Sequence, residues 1–408
     1  MGDEALGAAP FGTSRREAAW EIFRAFLKLG LTSFGGPIAH LGYFRHEFVE
    51  KRRWLDEHAY ADLVALCQFL PGPASSKVGM ALGLSRGGLV GAMVAWLAFT
   101  LPSAIALVLF GTNLSAISDR IGTSWLHGLK VVAVAVVAQA LWGMGRTLIP
   151  DRTRATIAVA AAFAASVSPN TLGQVSAIIA AGIVGALSLP ASTTTVGTPH
   201  AVNLRRVTGM AFLVAFLVLL IALPAYAAAS DSYAIKLFDS FYRAGALVFG
   251  GGHVVLPLLQ AQVVPAGWVG NDTFLAGYGL AQAVPGPLFT FAAFLGAVST
   301  QYPSGWVGAG IALVAIFLPG FLLIVGALPF WNALRRYARM RRAVLGINAA
   351  VVGLLLAAFY NPVWTSAISS PLDFCLAATA FLALVFWETP PWLVVVVAAA
   401  IATSVGIG

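Results

Sequence analysis

Charged side chains are scarce in this sequence. Of its 408 residues, 16 are Asp or Glu and 24 are Lys or Arg, so charged residues make up 10% of the chain and apolar residues 59%. A soluble domain needs roughly 25% charged residues to remain solvated. The uncharged stretches at 207–229, 306–330 and 392–403 approach the ~20 apolar residues that cross a bilayer core. The composition excludes a soluble fold of this size and predicts an all-α integral membrane protein that crosses a lipid bilayer several times.

Cysteine and the residues of common enzymatic motifs are also rare. Cys67 and Cys375 are the two cysteines, and their wide separation within apolar stretches argues against a disulfide framework or a thiolate metal site. The sequence contains no GxxxxGK[ST] phosphate loop and no His or Cys cluster with metal-ligand spacing. We therefore expect no enzyme, no cofactor and no metal, and any transport would have to draw on an ion gradient.

The basic residues cluster in short loops between the apolar stretches. The clusters are Arg15 and Arg16; Lys51, Arg52 and Arg53; Arg146, Arg152 and Arg154; Arg205 and Arg206; and Arg335, Arg336, Arg339, Arg341 and Arg342. The intervening loops at 230–232, 267–272 and 302–305 contain no Lys or Arg. Because short loops rich in Lys and Arg stay in the cytoplasm, the net charge of +8 reports membrane topology. It gives no reason to expect a nucleic acid partner.

The chain contains an internal repeat. Residues 23–36 read FRAFLKLGLTSFGG and residues 238–251 read FDSFYRAGALVFGG. At nearly constant spacing, later residues of the first copy also match the second. The matched pairs are Lys28 and Arg243, Gly35 and Gly250, Gly36 and Gly251, Trp54 and Trp268, Gln68 and Gln282, Pro71 and Pro285, Gly72 and Gly286, Pro73 and Pro287, and Pro102 and Pro319. Two homologous halves are therefore expected.

The charge pattern indicates that the two halves have opposite orientations. The loop before the 125–148 span is neutral, whereas its counterpart contains the Arg cluster of residues 335–342; the loop after that span is basic, whereas its counterpart at 361–373 has no basic residue. We expect a first repeat at 1–206, a linking transmembrane helix at 207–229 and an inverted second repeat at 230–408. Secondary transporters use such inverted repeats to alternate access between the two sides of a membrane.

Gly and Pro interrupt two apolar segments in each half. Irregular backbone at membrane depth is tolerated only against protein or a wet cavity, so these segments are predicted to be broken or re-entrant helices that enter and leave on one side. Each restarting helix would direct free N–H groups and a partial positive charge toward the midplane, where an anion is favoured. The predicted anion-binding backbone comprises Gly35, Gly36, Pro71, Gly72, Pro73, Gly250, Gly251, Gly252, Pro285, Gly286 and Pro287.

One spaced motif resembles a known family. Two glycines, twelve residues, Val49, four residues, Trp54, sixteen residues and Pro-Gly-Pro follow one another in the first half, with a weaker copy in the second. This pattern resembles the long-chain, two-domain form of the chromate ion transporter family, and the resemblance covers nearly the whole chain. It implies an inner-membrane protein that exports chromate, is driven by the proton motive force and confers chromate resistance, with sulfate as a competitor. The second copy departs from the spacing, with eleven residues between Gly252 and Val264.

Several alternatives stay open. The cargo could be sulfate or another oxyanion, the protein could be a passive anion channel, or it could be a lipid-handling membrane enzyme or flippase. A channel would conduct far faster than a transporter turns over, and a lipid-handling protein would need a laterally open groove with basic residues at the headgroups. The sequence does not decide between a monomer and a homodimer.

Two cations matched across the repeat are the first candidates for anion binding. Lys28 and Arg243 each lie six residues before a Phe-Gly-Gly break, about 9 Å along a helix. Charges inside a membrane are functional by default, but both side chains could instead extend to the headgroups. Gln68 and Gln282 precede the Pro-Gly-Pro breaks, where their amides could donate to an anion or satisfy freed carbonyls.

Lys77 is a further candidate for anion binding. It lies four residues after Pro73, one turn into a predicted helix whose Ser75 and Ser76 hydroxyls could donate to an oxyanion. Its counterpart in the second half is Phe291, so the repeat does not support this role.

Four titratable residues are candidates for proton coupling. His40 and His253 flank the Phe-Gly-Gly breaks without being repeat equivalents, and histidine changes charge near neutral pH. A hydrogen-bonded core histidine is the commoner case. Asp62 and Glu47 are the acidic candidates, although Glu47 lies among basic residues, which favours a surface ion pair.

Overall fold

The computed structural model describes residues 15–168, 170–190, 204–331 and 337–406. Within these ranges the chain is helical and has no β-strand, which confirms the predicted all-α membrane fold. Five helices are long and apolar enough to cross a membrane by length and composition, namely Ala74–Thr112, Ser124–Leu148, Arg206–Ala229, Gly305–Phe330 and Ala338–Ala367. Arg335 and Arg336 of the predicted basic cluster lie outside the described residues.

The first half contains eight helices within the described ranges. They are α1 Arg15–Thr32, α2 Gly36–Arg45 with a π-helical extension His46–Lys51, α3 Glu57–Phe69, α4 Ala74–Thr112, α5 Leu114–Ile121, α6 Ser124–Leu148, α7 Arg152–Val167 and α8 Thr171–Ser188. Helix α9, Arg206–Ala229, follows.

The second half repeats this order. Its helices are α10 Tyr233–Leu247, α11 Val255–Val263 after the 3₁₀ turn Gly252–Val254, α12 Asn271–Ala281, α13 Phe291–Ala297 after the 3₁₀ turn Leu288–Thr290, α14 Gly305–Ala327, α15 Ala338–Ala358, α16 Pro371–Val385 and α17 Pro391–Val405. Helices α10 to α12 correspond to α1 to α3, and α15 to α17 correspond to α6 to α8.

Helix α4 is two rods joined by a sharp reversal. Gly87 and Gly88 have non-helical backbone angles, and Gly88 has a φ of 63°. A Cβ added to Gly83 would lie 2.3 Å from the carbonyl oxygen of Gly91, although eight residues of straight helix span about 12 Å. The chain therefore folds back, and the rods 74–86 and 89–112 correspond to α13 and α14.

The two interrupted segments of the first half are re-entrant hairpins, as predicted. Glu21, near the start of α1, accepts hydrogen bonds from Arg52 at 3.4 Å and from the Trp54 indole at 3.2 Å, so the segment after α2 returns to its starting level. Arg86, at the end of the second hairpin, also lies 3.4 Å from Glu21 and stacks over Trp54. Both hairpins enter and leave on one side.

The second half forms equivalent hairpins from the other end of the bundle. Tyr233, at the start of α10, packs edge-on against Trp268 with ring centroids 5.0 Å apart, and its hydroxyl contacts Ser299 at 2.5 Å. Lys130, near the start of α6, forms an ion pair with Asp272 at 3.1 Å. The start of α6 thus lies beside the base of the second-half hairpins, which agrees with an inverted repeat.

Helices α6 and α15 are exchanged between the halves. Helix α6 packs against α16 and α17, and α15 packs against α7 and α8. Small residues permit these contacts, since a Cβ on Gly353 would lie 2.0 Å from the carbonyl oxygen of Ala158. The Nε2 of His127 in α6 also lies within hydrogen-bond distance, 2.7 Å, of Oδ1 of Asp373 in α16. The two halves therefore interlock.

Helix α9 lies at the periphery. It contacts α14 and α10, and Gly209 approaches Gly326 so closely that an added Cβ would lie 2.9 Å from its carbonyl oxygen. Only 11% of its most apolar window is buried within the protein. Most of its surface therefore faces lipid.

Candidate anion site

The four helix breaks meet in the interior, and the breaks of each half bond to those of the other. The amide of Gly72 donates to the carbonyl of Val248 at 2.7 Å, and the amide of Gly286 donates to the carbonyl of Ser33 at 2.8 Å. Gly72 and Gly286 are repeat equivalents, as are Ser33 and Val248. The two hydrogen bonds are thus related by the pseudo-twofold symmetry of the repeat, and they join the Phe-Gly-Gly break of each half to the Pro-Gly-Pro break of the other.

The glycines of the breaks are required for two different reasons. At Gly286, with a φ of 96°, an added Cβ would lie 2.9 Å from Ser103 Oγ, so both conformation and space demand glycine. At Gly36 no heavy atom lies within 4 Å of an added Cβ. No neighbouring helix among the described residues therefore approaches Gly36 closely. Its φ of 77° is the constraint, because side-chain-bearing residues rarely adopt left-handed angles.

The helices that start at the breaks have no side-chain cap. This holds for α2, α4, α11 and α13 and for the 3₁₀ turns before α11 and α13. Of the other helices, α3, α7, α8 and α16 are capped by Asp56, Asp151, Asn170 and Ser370, whereas α5, α6, α9, α10, α12, α14, α15 and α17 also lack a side-chain cap. Uncapped first-turn amides carry partial positive charge and can donate to an oxyanion.

Lys77 lies beside one of the crossed contacts. Its side chain is fully buried, and its Nζ donates to the carbonyls of Leu70 and, at 2.9 Å, of Pro71. These carbonyls end α3, where the helix dipole is negative. Among the described residues, Lys77 has no carboxylate within ion-pair distance, and it is the one fully buried Lys or Arg. Lys77 is thus a buried amine held by carbonyl oxygens alone.

His40 links the first break to the start of α4. Its Nε2 lies 3.2 Å from the carbonyl oxygen of Ser33, and its Nδ1 lies 3.3 Å from Ser75 Oγ. Because a carbonyl can only accept, Nε2 carries the hydrogen, and the neutral ring then accepts the Ser75 hydroxyl proton at Nδ1. The hydroxyls of Ser33 and Ser76 are buried without a partner among the described residues. They are donors that a ligand could use.

The polar groups around the breaks come mainly from the first half. The counterparts of His40, Ser75 and Lys77 are Val255, Phe289 and Phe291, all buried. From the second half, the Nε2 of Gln282 is a buried amide donor without a partner among the described residues. Gln68 is exposed. The backbone framework is symmetric, whereas its side-chain chemistry is not.

Lys28 and Arg243 are each paired with a carboxylate. Lys28 is 54% exposed, and its Nζ lies 3.1 Å from Glu47. Arg243 binds Asp239 through both Nε and Nη2, the latter at 2.6 Å, and approaches Gln262 at 3.5 Å. The Lys28 geometry favours the alternative in which this side chain extends to the membrane surface. An anion-binding role for the two cations stays a prediction.

Glu47 is held as a carboxylate. Burial by itself raises its pKa, but hydrogen bonds from Arg52 and Lys28 outweigh this effect and hold the pKa of Glu47 below its usual value. The predicted ion pair is therefore present, but the predicted surface location is wrong, because the carboxylate is 3% exposed. A carboxyl group whose pKa is held below its usual value is less suited to carrying a proton.

The remaining two candidates for proton coupling each have an identified hydrogen-bond partner. His253 Nδ1 lies 2.6 Å from the Tyr278 hydroxyl, and Asp62 accepts a hydrogen bond from the Trp331 indole at 3.1 Å. Both contacts are ordinary structural ones. The coupling role of these residues stays a prediction.

Sequence reasoning missed one residue of the site, and one sequence motif is misleading because it resembles that of an enzyme. Asp239 was missed, although it lies four residues before Arg243, the spacing of a helical ion pair. Residues 83–87 read GLSRG and match the spacing of a hydrolase nucleophile elbow, which requires a strand-to-helix turn. Ser85 instead lies within α4 and donates to the carbonyl of Leu82 at 2.8 Å. This motif provides no support for an enzyme.

Comparison with known proteins supplies the family. No solved structure matches the chain. A chromate transport protein from Pseudomonas aeruginosa is 29% identical over 394 residues, covering 93% of this chain and 90% of the relative. A chromate transport protein from Cupriavidus metallidurans is 26% identical over 392 residues, covering 93% and 92%. An uncharacterized transporter from Methanocaldococcus jannaschii is 28% identical over 347 residues, covering 83% of each chain.

The family profile matches the chain twice, in agreement with the internal repeat. The profile of the chromate transporter family covers residues 20–186 and again residues 235–403. These two blocks contain the paired hairpins and the exchanged helices of each half. The chain belongs to the chromate transporter family.

Proposed function

We propose that this protein is a secondary active transporter of the inner membrane that exports chromate from the cytoplasm at the expense of the proton motive force. The crossed contacts between the helix breaks carry the proposal, because they bring uncapped helix ends from both halves to one buried location. Two relatives that are named chromate transport proteins support the choice of cargo. Chromate resistance of the cell would follow from export.

The chemistry of the breaks suits a tetrahedral dianion. Uncapped amides and the free hydroxyls of Ser33 and Ser76 can donate hydrogen bonds without adding a formal charge. Lys77, when protonated, supplies one positive charge at the same location. With a bound dianion and one further positive charge or proton, the net charge of the site would be close to zero. A site without net charge lowers the free-energy cost of moving the anion through a low-dielectric region.

Without a bound anion, Lys77 forms hydrogen bonds to the protein backbone. Its ammonium group donates to the carbonyls of Leu70 and Pro71. An oxyanion competes for these donors, and its binding would release the end of α3. Binding of cargo is thereby coupled to a change in the backbone of the second hairpin.

The inverted repeat supports alternating access. The hydrogen bonds Gly72 to Val248 and Gly286 to Ser33 are equivalent by the repeat. Breaking one while keeping the other would open the site to one side only, as in other transporters built from inverted repeats. The domain limits 1–206, 207–229 and 230–408 define the parts that would move against one another.

His40 is the residue that we propose for proton coupling. It contacts the carbonyl of Ser33, the same atom that accepts the crossed hydrogen bond from Gly286. A proton added at Nδ1 would convert the contact with Ser75 from acceptor to donor. Protonation of one ring would thus alter both the hairpin contact and the charge at the site.

The decisive experiment is uptake of radiolabelled chromate into everted membrane vesicles, with and without a pH gradient. We expect accumulation that depends on the gradient and falls when excess sulfate is added. Vesicles that contain the Lys77→Met variant at equal expression provide the matched control. Equal accumulation with and without a gradient would refute proton-coupled export.

Other functions predict different results in the same vesicles. A sulfate transporter would accumulate labelled sulfate and would be poorly inhibited by chromate. A passive channel would equilibrate chromate without accumulation and would give measurable currents.

A further inference from the structure

An open cavity of about 420 Å³, lined by both polar and apolar side chains, lies at the base of the second-half hairpins. One wall is the end of α9, with Pro224, Ala227 and Ala228, and the opposite wall is α10. The cavity is also lined by Lys236, Asp239, Ser240, Arg243, Gln262 and Trp268. Since α9 faces lipid along most of its length, the cavity lies at the boundary between protein and bilayer. It is separate from the crossed helix breaks.

The two halves place the carboxylate that pairs with the matched cation at different positions. Glu47 is the repeat equivalent of Gln262, and Lys28 is the equivalent of Arg243. Glu47 binds Lys28 at 3.1 Å and Arg52 at 2.8 Å, so it acts as the internal anion of the first half. In the second half the amide of Gln262 stands at the position of Glu47, and Asp239, whose repeat equivalent is Arg24, pairs with Arg243 instead.

The charges that line the cavity do not cancel. Arg243 is paired with Asp239 through Nε and Nη2, which leaves its Nη1 without a partner among the described residues. Lys236 has neither a hydrogen bond nor an ion pair within the described part of the chain, and it is partly exposed. The lining thus carries one net positive charge and several free N–H donors, with the hydroxyl of Ser240 alongside.

We propose that this cavity is a second anion-binding site, which takes a tetrahedral oxyanion. Lys236 and Arg243 bind the anion, and Asp239 holds the guanidinium in position. The ligand has the chemistry of a phosphate, and it enters either from water as a free oxyanion or from the bilayer as a phospholipid headgroup. The lipid-facing wall formed by α9 admits both sources.

A cysteine reporter tests the site without measuring transport. Ala266 lines the cavity, is exposed and contributes no side-chain donor. Ala266→Cys is made in a Cys375→Ser background, and Cys67 is buried. The rate of thiol alkylation is then measured in phosphate-free maltoside micelles, in the same micelles with inorganic phosphate, and in phosphatidylglycerol vesicles without phosphate. Ser232→Cys, on the exposed loop before α10, reports any general effect of phosphate or lipid on the reagent.

Protection of the thiol in Ala266→Cys that is not seen in Ser232→Cys supports the site. Free phosphate at ten times its Kd should slow alkylation about tenfold in micelles, and protection in vesicles alone would identify a lipid headgroup as the ligand. Lys236→Gln should abolish protection. Lys130→Gln removes a cation that is already paired with Asp272 and should leave protection unchanged. Equal alkylation rates in all three media, or protection that persists in Lys236→Gln, would overturn the proposal. Neither result depends on whether the protein transports chromate.

Discussion

The Nζ of Lys28 lies 3.1 Å from Oε2 of Glu47, a carboxylate that is 3% exposed. Nineteen residues separate the two along the chain, and the contact joins the two arms of the first hairpin. The hairpin therefore contains a buried negative charge that is compensated jointly by the half-exposed Lys28 and by Arg52. A test of Lys28 must therefore distinguish binding of the anion from neutralisation of Glu47.

Replacement of Lys28 or Arg243 by Ala is expected to reduce chromate transport at least about tenfold, or roughly 1.4 kcal/mol, if each cation binds the anion. Lys28→Arg should retain a substantial fraction of activity, because the positive charge is kept. Transport is measured in everted vesicles at matched expression.

The double variant Lys28→Ala with Glu47→Gln distinguishes binding from charge compensation. If Lys28 contacts the cargo, the double variant stays as defective as Lys28→Ala. Recovery of transport in the double variant would assign Lys28 to neutralising Glu47.

The ion pairs of Glu47 make stability depend on acidic pH. Because the pKa of Glu47 is lowered in the folded protein, its stabilising contribution is complete above its unfolded pKa of about 4.3 and is lost as pH falls through the folded value. The difference in melting temperature between wild type and Glu47→Gln should be constant from neutral pH to about pH 5. It should shrink in more acidic buffer. A difference that grows on acidification would contradict this account.

Gly36→Val is expected to abolish transport without preventing membrane insertion. The φ of 77° at Gly36 is unfavourable for a β-branched residue, and the strain falls on the break between α1 and α2. Gly42→Ala is the matched control, since Gly42 lies within α2, is exposed and has open space around an added Cβ. Normal transport by Gly36→Val would mean that the left-handed backbone is not needed for function.

Lys77→Met is expected to abolish transport. The methionine side chain keeps much of the lysine volume but removes both the positive charge and the donors to Leu70 and Pro71. Leaving two buried carbonyls without a donor should also destabilise the protein, by about 1–3 kcal/mol per group. Transport per folded molecule, measured at a temperature below the melting point of the variant, separates the two effects. Activity that scales only with the folded fraction would restrict Lys77 to a structural role.

Cysteines at Thr153 and Thr365 test the inverted topology. Both positions are exposed, and the charge pattern predicts that Thr153 faces the cytoplasm and Thr365 the exterior. In intact cells that carry Cys375→Ser, a membrane-impermeant thiol reagent should label only Thr365→Cys. Labelling of Thr153→Cys after cell disruption shows that this site is reactive. Labelling of both cysteines, or of neither, in intact cells would be incompatible with the inverted repeat.

The repeat was readable because each half must build the same backbone. Gly and Pro at the breaks are dictated locally by left-handed angles and by missing amide donors, so motifs such as Pro71-Gly72-Pro73 survive in both copies. The re-entrant hairpins followed from these motifs and from basic residues at their ends. The partners of Lys28 and His40 did not follow, because a contact across 19 or 35 residues leaves no local pattern.

By itself, the sequence determined that this protein folds in a membrane, that it contains two copies of one unit and where its helices break, and it predicted that the two copies have opposite orientations. Each of these depends on local composition or on spacing along the chain. The tertiary structure decided which break bonds to which, the exchange of α6 and α15 between the halves, and the concentration of polar groups on the first half. Those features depend on how the apolar surfaces of the helices fit together. Many pairings of helices that are distant in sequence are compatible with the same hydrophobic pattern, and the close packing of side chains selects one of them.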